Sequence, residues 1–196
     1  MPVPPRDFEL VQIVDASLAD AAGRAGPWLA CRIGCTQCCY GAFAINALDA
    51  ARLQAGMEAL RSADPILAGA IAGRAAAWMD EFGPAFPGDR RSGQLGTSAK
   101  DRERFETFAD EAPCPALDPD TGRCDVYGWR PMTCRVFGPP VRVEGDALGC
   151  CELCFAGASE EEIAACEMPV PHELENALIA EMGDDGETVV AFALLR

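Results

Sequence analysis

Cysteine side chains are dense at one point of this chain. Four of them, Cys31, Cys35, Cys38 and Cys39, lie within nine residues in the spacing Cys-x3-Cys-x2-Cys-Cys. Thiolates are soft ligands that suit zinc, monovalent copper and iron–sulfur clusters, and such a site takes about four of them on a short, bendable backbone. Packing alone rarely places so many thiols together. The segment 31–39 therefore predicts metal binding.

A second group of cysteines follows in the other half of the chain. Its members are Cys114, Cys124, Cys134, Cys150, Cys151 and Cys154. Together with the first four they give ten candidate ligands, enough for two four-thiolate sites with spares. The eleventh cysteine, Cys166, follows two alanines on a predicted helix, and we interpret it as a small core residue. The predicted ligand segments are thus 31–39 and 114–154.

Disulfide pairing does not explain these cysteines. Eleven cannot all pair within one chain, and disulfide frameworks are typical of small secreted domains that lack a core. This chain has 196 residues and is 49% hydrophobic, which is enough for one compact domain. Its first residues do not resemble a secretory signal, and no window is apolar for long enough to cross a bilayer. We therefore predict a cytoplasmic protein with reduced thiols and no membrane contact.

The chain is strongly acidic. Its formal charge is −15 and its isoelectric point is near 4.4. Such a surface repels phosphate backbones and anionic membrane faces, so nucleic acid is not an expected partner. The sequence also contains no Ser-His-Asp arrangement, phosphate loop or His-Glu-x2-His motif, and it gives no oligomeric state. His172, the single histidine, is interpreted as a solvated residue at the start of a helix.

The segments around the cysteines follow a helical pattern. Apolar residues spaced three and four apart, together with start and stop signals, predict helices. They span 7–23, 47–61, 65–82, 100–111, 159–167 and 171–182. Residues 83–99 predict a variable surface loop, and 188–195 a strand or a buried apolar tail. The predicted fold is mainly α, a single helical domain over 1–196 whose irregular cysteine-rich loops are organised around a metal or iron–sulfur site.

Several motifs resemble the YkgJ-type cysteine-cluster proteins, described as a zinc- or iron-chelating domain. They are Cys31-x3-Cys35-x2-Cys38-Cys39, Cys114-Pro115-x-Leu117, Arg123-Cys124-x2-Tyr127 and Arg130-Pro131-x2-Cys134-Arg135. Their order and spacing make the resemblance specific over 31–39 and 114–154. The resemblance implies metal-binding roles for Cys31, Cys35, Cys38, Cys39, Cys114, Cys124 and Cys134. It implies an eighth ligand among Cys150, Cys151 and Cys154 without saying which.

Zinc and iron–sulfur are both compatible with these spacings. Cys35-Thr-Gln-Cys38 and Cys151-Glu-Leu-Cys154 are the two-residue-spaced pairs from which structural zinc sites are assembled. The Cys-x3-Cys-x2-Cys run instead resembles segments that wrap a cubane cluster, and adjacent Cys38 and Cys39 fit different irons or different metals more easily than one tetrahedral ion. We favour an iron–sulfur cluster of the 4Fe-4S type, with zinc as the alternative.

Radical S-adenosylmethionine enzymes share the Cys-x3-Cys-x2-Cys spacing. They need alternating strands and helices after the motif, whereas 47–82 predicts consecutive helices, and Cys39 has no role in that scheme. We therefore set this interpretation aside.

Two arginines are candidates for supporting a bound cofactor. Four thiolates around one divalent ion leave a net charge of about −2, which a buried site must offset with nearby cations or amide donors. Arg130 and Arg135 flank Cys134. The alternative is that they pair with some of the surface carboxylates.

The leading hypothesis is a metal-binding protein that holds an iron–sulfur cluster or zinc through about eight cysteines. The family's relation to a flagellin lysine N-methylase, which has a similar cysteine set, implies an alternative: a metal-dependent, methylase-like enzyme that modifies a protein or peptide substrate. A third hypothesis is a structural zinc scaffold for protein interaction.

Serine substitutions test the ligand assignment. Cys35→Ser and Cys134→Ser are expected to lose metal and local structure because each removes a ligand, whereas Cys166→Ser should keep its metal. Metal analysis of protein purified without oxygen measures this. Equal metal retention in all three variants would contradict the assignment.

Overall fold

Helices make up most of the regular structure in the computed structural model, which describes residues 2–32, 34–142 and 148–196. The α-helices are α1 (Asp7–Ala25), α2 (Ala47–Ala63), α3 (Pro65–Phe82), α4 (Ala99–Glu106), α5 (Met132–Val136), α6 (Glu160–Ala165), α7 (His172–Met182) and α8 (Val190–Leu194). Strands are short and form two antiparallel pairs, β1 (Gly88–Asp89) with β2 (Gln94–Leu95) and β3 (Val141–Arg142) with β4 (Leu148–Gly149). The mainly α class is confirmed. No helix of the described ranges is both long enough and apolar enough to span a bilayer.

The helix starts are encoded by local capping. The Asn46 side chain accepts a hydrogen bond from the Asp49 amide at the start of α2, and Asp64 accepts one from Leu67 before Pro65 opens α3. At α6, Ser159 and Glu162 form a reciprocal capping box. These side chains accept hydrogen bonds from amides that the first turn of a helix leaves unpaired, and they fix where each helix starts. Because the caps are local in sequence, the observed starts lie close to the predicted ones.

Three segments differ from the sequence expectation. The loop predicted over 83–99 contains the β1–β2 hairpin, and α4 ends at Glu106, earlier than the predicted 111. The segment 188–195 is mostly buried, as the apolar-tail alternative predicts, but most of it is helix α8 and not a strand. Gly93 accounts for the tight contact of hairpin and tail, because a Cβ there would lie 2.6 Å from the Phe192 ring.

Contacts divide the chain into two compact units, which we describe separately. Unit 1 consists chiefly of Thr36–Pro131 and Ile179–Arg196, and unit 2 of Pro4–Cys35 and Met132–Leu178. The single domain expected over 1–196 stays a prediction.

The core of unit 1 lies where α2, α3 and α8 pack together. Its fully buried side chains include Ile45, Leu53, Met57, Ile71, Val126 and Leu194. Burying one such side chain stabilises the fold by about 1.5–3 kcal/mol. Cys114, Cys124 and Trp129 pack against this core while half-buried themselves. The core therefore fixes the backbone from which two of the predicted ligands extend.

Unit 2 has a smaller core built around helix α1. α1 packs on α5, where buried Arg135 donates to Asp15 of α1 at 2.7 and 3.0 Å. A separate apolar cluster joins Ala25, Cys151, Cys154, Phe155 and Cys166. The Phe155 amide donates to the Trp28 carbonyl at 2.8 Å, which ties the cysteine segment to the end of α1.

Two glycines within helices provide a matched test of this packing. A Cβ on buried Gly56 of α2 would lie 2.5 Å from Cγ of Trp129, whereas a Cβ on exposed Gly73 of α3 meets nothing within 4 Å. We expect Gly56→Ala to lower the free energy of unfolding by about 1–3 kcal/mol through overpacking. Gly73→Ala should raise it by about 0.5–1 kcal/mol, because alanine favours the helix. Chemical denaturation measures both, and equal shifts would contradict the packing described.

Candidate metal centre

The cysteines fall into two sets that follow the division of the chain. The break lies inside the first motif, since Cys35 belongs to unit 2 and Thr36 to unit 1. The unit 1 thiols are Cys38, Cys39, Cys114 and Cys124. The unit 2 thiols are Cys31, Cys35, Cys134, Cys150, Cys151 and Cys154, with Cys166 in the same unit. All eleven are free thiols.

Backbone pairing brings the first two segments of unit 1 together. Cys38 and Cys39 lie on a 3-10 turn, Gln37–Cys39, and the Cys39 carbonyl accepts from the Cys114 amide at 2.7 Å. Next along the chain, Tyr40 forms an antiparallel bridge with Pro113. These bonds place Cys39 beside Cys114, although 75 residues separate them in the sequence.

A tight turn brings Cys124 back toward Cys114. Leu117 forms an antiparallel bridge with Cys124, and the Asp125 amide donates to the Ala116 carbonyl at 2.9 Å. Gly122, with φ of 66°, occupies the left-handed region that glycine adopts without strain and closes the turn. Both cysteines therefore extend from one small hairpin.

The sulfurs of Cys38 and Cys39 lie 4.0 Å apart. Two thiolates on one tetrahedral ion, with bonds of about 2.3 Å, have a sulfur–sulfur distance of about 3.8 Å. Adjacency in the sequence therefore does not prevent both from binding a single ion, which removes the objection raised from the sequence.

The electrostatics of the unit 1 thiols show that the four influence one another. The hydrogen bond from Cys39 lowers the pKa of Cys38 to about 6, although burial acts in the opposite direction. The backbone amide of Cys38 and the charge of Arg130 also lower this pKa. The pKa of Cys39 is raised by that same hydrogen bond, by burial and by the charges of Cys38, Cys114 and Cys124. Mutual repulsion of this kind is what a bound cation relieves.

Burial dominates at the two hairpin cysteines. It raises the pKa of Cys114 to about 12, against amides donated by Ala116 and Leu117. Burial likewise raises the pKa of Cys124, against the Val126 amide and the charge of Arg130. Amide donors to sulfur are the partners that a buried thiolate centre requires. Without a cation, however, these two thiols stay protonated at neutral pH.

Arg130 lies where its charge reaches this set. It is only 7% exposed, its guanidinium is 3.7 Å from the centre of the Tyr127 ring, and Nη1 donates to the Tyr127 carbonyl at 3.1 Å. Its charge lowers the pKa of both Cys38 and Cys124. The cation expected beside the thiols is therefore present in unit 1.

The unit 2 thiols gather around Cys154. Although Cys31 is an exposed residue, desolvation of its thiol raises its pKa to about 12, followed by the effects of Cys154, Cys35 and Cys151. Burial also raises the pKa of Cys151, and the charges of Cys154 and Cys35 raise it further. Burial and the charge of Cys154 raise the pKa of Cys150 in the same way. Five of the six thiols are thus near enough to act on one another.

Gly138 allows Cys31 to approach its neighbours. Its φ is 127°, and a Cβ at this position would lie 2.8 Å from the Cys31 sulfur. The Gly138 carbonyl also accepts from the Cys151 amide at 3.3 Å. The sequence interpretation missed this residue, although a glycine before Pro139 and Pro140 is a signal of special backbone.

The remaining predicted residues have simple surroundings. Arg135 binds Asp15, which is the carboxylate pairing given above as the alternative to cofactor support. Cys134 is half-buried on α5, Cys166 is buried in an apolar cluster as predicted, and His172 is exposed at the first position of α7.

The grouped thiols do not form a finished coordination shell. Over the described ranges, no three Cys, His, Asp or Glu side chains converge as they stand in a geometry that would hold one ion.

Grouped thiols on a mainly helical chain define a cysteine-cluster protein. The chain belongs to the CxxCxxCC family, whose sequence model bears the description "Putative zinc- or iron-chelating domain" and matches residues 30–154, more than half of the chain. The family predicted from the motifs is thus confirmed. Neither the curated proteins nor the solved structures contain a match to the chain.

Arg74 of α3 binds the hairpin at Pro115 and Asp125, the residues that directly follow Cys114 and Cys124. The sequence does not predict this role of Arg74. Its Nε donates to the carbonyl of Pro115, next to Cys114, at 2.9 Å. Its Nη2 donates to the carboxylate of Asp125, next to Cys124, at 2.5 Å. The partners lie 41 and 51 residues away in sequence, so no local pattern reveals the pairing.

Removing this contact should loosen the hairpin. Arg74→Met is expected to lower the free energy of unfolding by about 1–3 kcal/mol, because it leaves a half-buried carboxylate without its partner. Cys114 and Cys124 should then be alkylated faster in the metal-free, reduced protein. Arg61→Met is the matched control, since Arg61 pairs with Glu58 on the exposed side of α2. Peptide mapping after alkylation measures both variants, and equal reactivity would contradict the role of Arg74.

Proposed function

We propose that the protein binds two metal ions, each through four thiolates from one of the two sets. Unit 1 would supply Cys38, Cys39, Cys114 and Cys124. Unit 2 would supply Cys31, Cys35, Cys134 and Cys154. The observation that carries this proposal is the division of the family's eight-cysteine pattern into two sets of four.

The choice of Cys154 as the eighth ligand rests on its relation to Cys31. After burial, the charge of Cys154 and a hydrogen bond with it have the largest effects on the Cys31 pKa. Cys151 is the competing candidate, because the Leu153 amide donates toward its sulfur. Cys134 enters through the resemblance and through its place in the same unit.

The donor set favours a single tetrahedral ion in unit 1. The 4.0 Å between the Cys38 and Cys39 sulfurs is close to the spacing of two thiolates on one zinc. Thiolates on different irons of a cubane extend away from each other and stand further apart. Zinc, or iron bound as a single ion, therefore fits unit 1 better than the 4Fe-4S cluster favoured from the sequence.

Metal and sulfide counts on protein purified without oxygen test this proposal. We expect two zinc or iron ions per chain and no acid-labile sulfide, with no broad visible absorption if the metal is zinc. Cys124→Ser should lose one ion of the two and Cys154→Ser should bind one of the two more weakly, whereas Cys151→Ser should keep both with unchanged affinity. Fewer than one ion per chain would overturn the metal-binding function. Acid-labile sulfide together with a brown colour would contradict single-ion binding and would indicate an iron–sulfur cluster.

A further inference from the structure

The two thiol sets differ in how many cysteines they hold and in how exposed those cysteines are. Unit 1 contains only the four thiols assigned to its ion, and all four are half-buried. Besides buried Cys166, unit 2 contains two more thiols than one tetrahedral ion needs, Cys150 and Cys151. Cys31 and Cys150 are exposed, whereas Cys154 is buried.

Surplus thiols next to a metal site provide replacement ligands. Cys151 lies in the same buried cluster as Cys154, whose amide donates to the Cys151 carbonyl at 2.8 Å, and Cys150 directly precedes Cys151 in the chain. An ion that loses one thiolate can therefore be taken up by another without passing through water. Thiol exchange depends on access, which the exposed residues Cys31 and Cys150 provide in unit 2.

From this asymmetry we infer that unit 2 is an exchangeable site that passes its ion to, or accepts it from, another thiol-bearing molecule, while unit 1 retains its ion. This inference rests on the proposed function. In this exchange Cys150 or an incoming thiol would replace exposed Cys31 as a ligand, and the proton that the incoming thiol gives up would pass to Cys31. No electron is transferred, and the ion keeps its charge and four ligands.

The unit 1 set lacks these features. Cys114 and Cys124 pack on a hydrophobic core and their sulfurs accept backbone amides, and the charge of Arg130, which lies over the Tyr127 ring, acts on Cys38 and Cys124. Arg74 further fixes the hairpin of Cys114 and Cys124. An incoming ligand must displace a held thiolate here, with no spare cysteine in the unit to replace it.

Competition kinetics test the inference on the zinc-loaded full-length chain. The colorimetric chelator 4-(2-pyridylazo)resorcinol, in excess, reports each ion as it leaves. We expect two phases of one ion each, with release rates at least about tenfold apart. The groups around a metal's ligands change its affinity by about tenfold or more, and differences in affinity come mostly from differences in the dissociation rate. Cys31→Ser should change the rate of the fast phase and leave the slow one, whereas Cys124→Ser should remove the slow one. A single phase, or loss of the fast phase in Cys124→Ser, would overturn the inference.

A second measurement needs no ligand variant that might misfold. Wild-type protein stopped after the loss of one ion is alkylated with N-ethylmaleimide and mapped by mass spectrometry. Modification should fall on the unit 2 thiols and spare Cys38, Cys39, Cys114 and Cys124, and the reverse pattern would contradict the inference.

Cys150→Ser should bind two ions but slow the fast phase, and an unchanged fast phase would exclude Cys150 as the replacement ligand. A chain that binds fewer than two ions fails the proposed function instead, so the two failures are distinguishable.

Discussion

Repulsion between closely placed thiolates is the constraint on which the rest of the structure depends. Four negative sulfurs do not stay together in a partly buried place unless donors and cations offset their charge. In unit 1 the Cys38 and Cys39 sulfurs approach to 4.0 Å, and Cys39 resists ionisation as a result. Amides on Cys114 and Cys124, together with the charge of Arg130, offset part of this repulsion. The thiolate charge that these groups leave uncompensated favours the binding of a divalent cation.

Hydrophobic packing supplies the rigidity that this arrangement requires. Side chains of α2, α3 and α8 form a core on which the hairpin of Cys114 and Cys124 rests, and Arg74 binds that hairpin at two points. The thiol positions therefore depend on helices that carry no ligand themselves. This explains why a chain with so many cysteines still needs long amphipathic helices, whereas disulfide scaffolds use their bridges in place of a core.

The parts that the sequence predicts are those that depend on local physics. α1, α2 and α3 follow from apolar spacing and caps, and the candidate ligands follow from cysteine spacing. The division of the motif between Cys35 and Thr36 depends on contacts far along the chain, as do the pairs Arg74–Asp125 and Arg135–Asp15. Tail residues 188–195 were ambiguous because a short, wholly apolar segment has the same pattern in a strand and in a buried helix.

The asymmetry between the two sets bears on the choice between a scaffold and a protein that handles metal. A scaffold needs each ion held by a closed shell of four ligands, and the unit 1 set matches that requirement in number and burial. Unit 2 exceeds it, with six thiols of which two are exposed. Thiols that are exposed, such as Cys31 and Cys150, or surplus to one ion, such as Cys150 and Cys151, leave a structural site open to oxidation and exchange, so stability alone gives no reason to keep them. They are useful where an ion must enter and leave, which favours metal handling in unit 2 over a purely structural role.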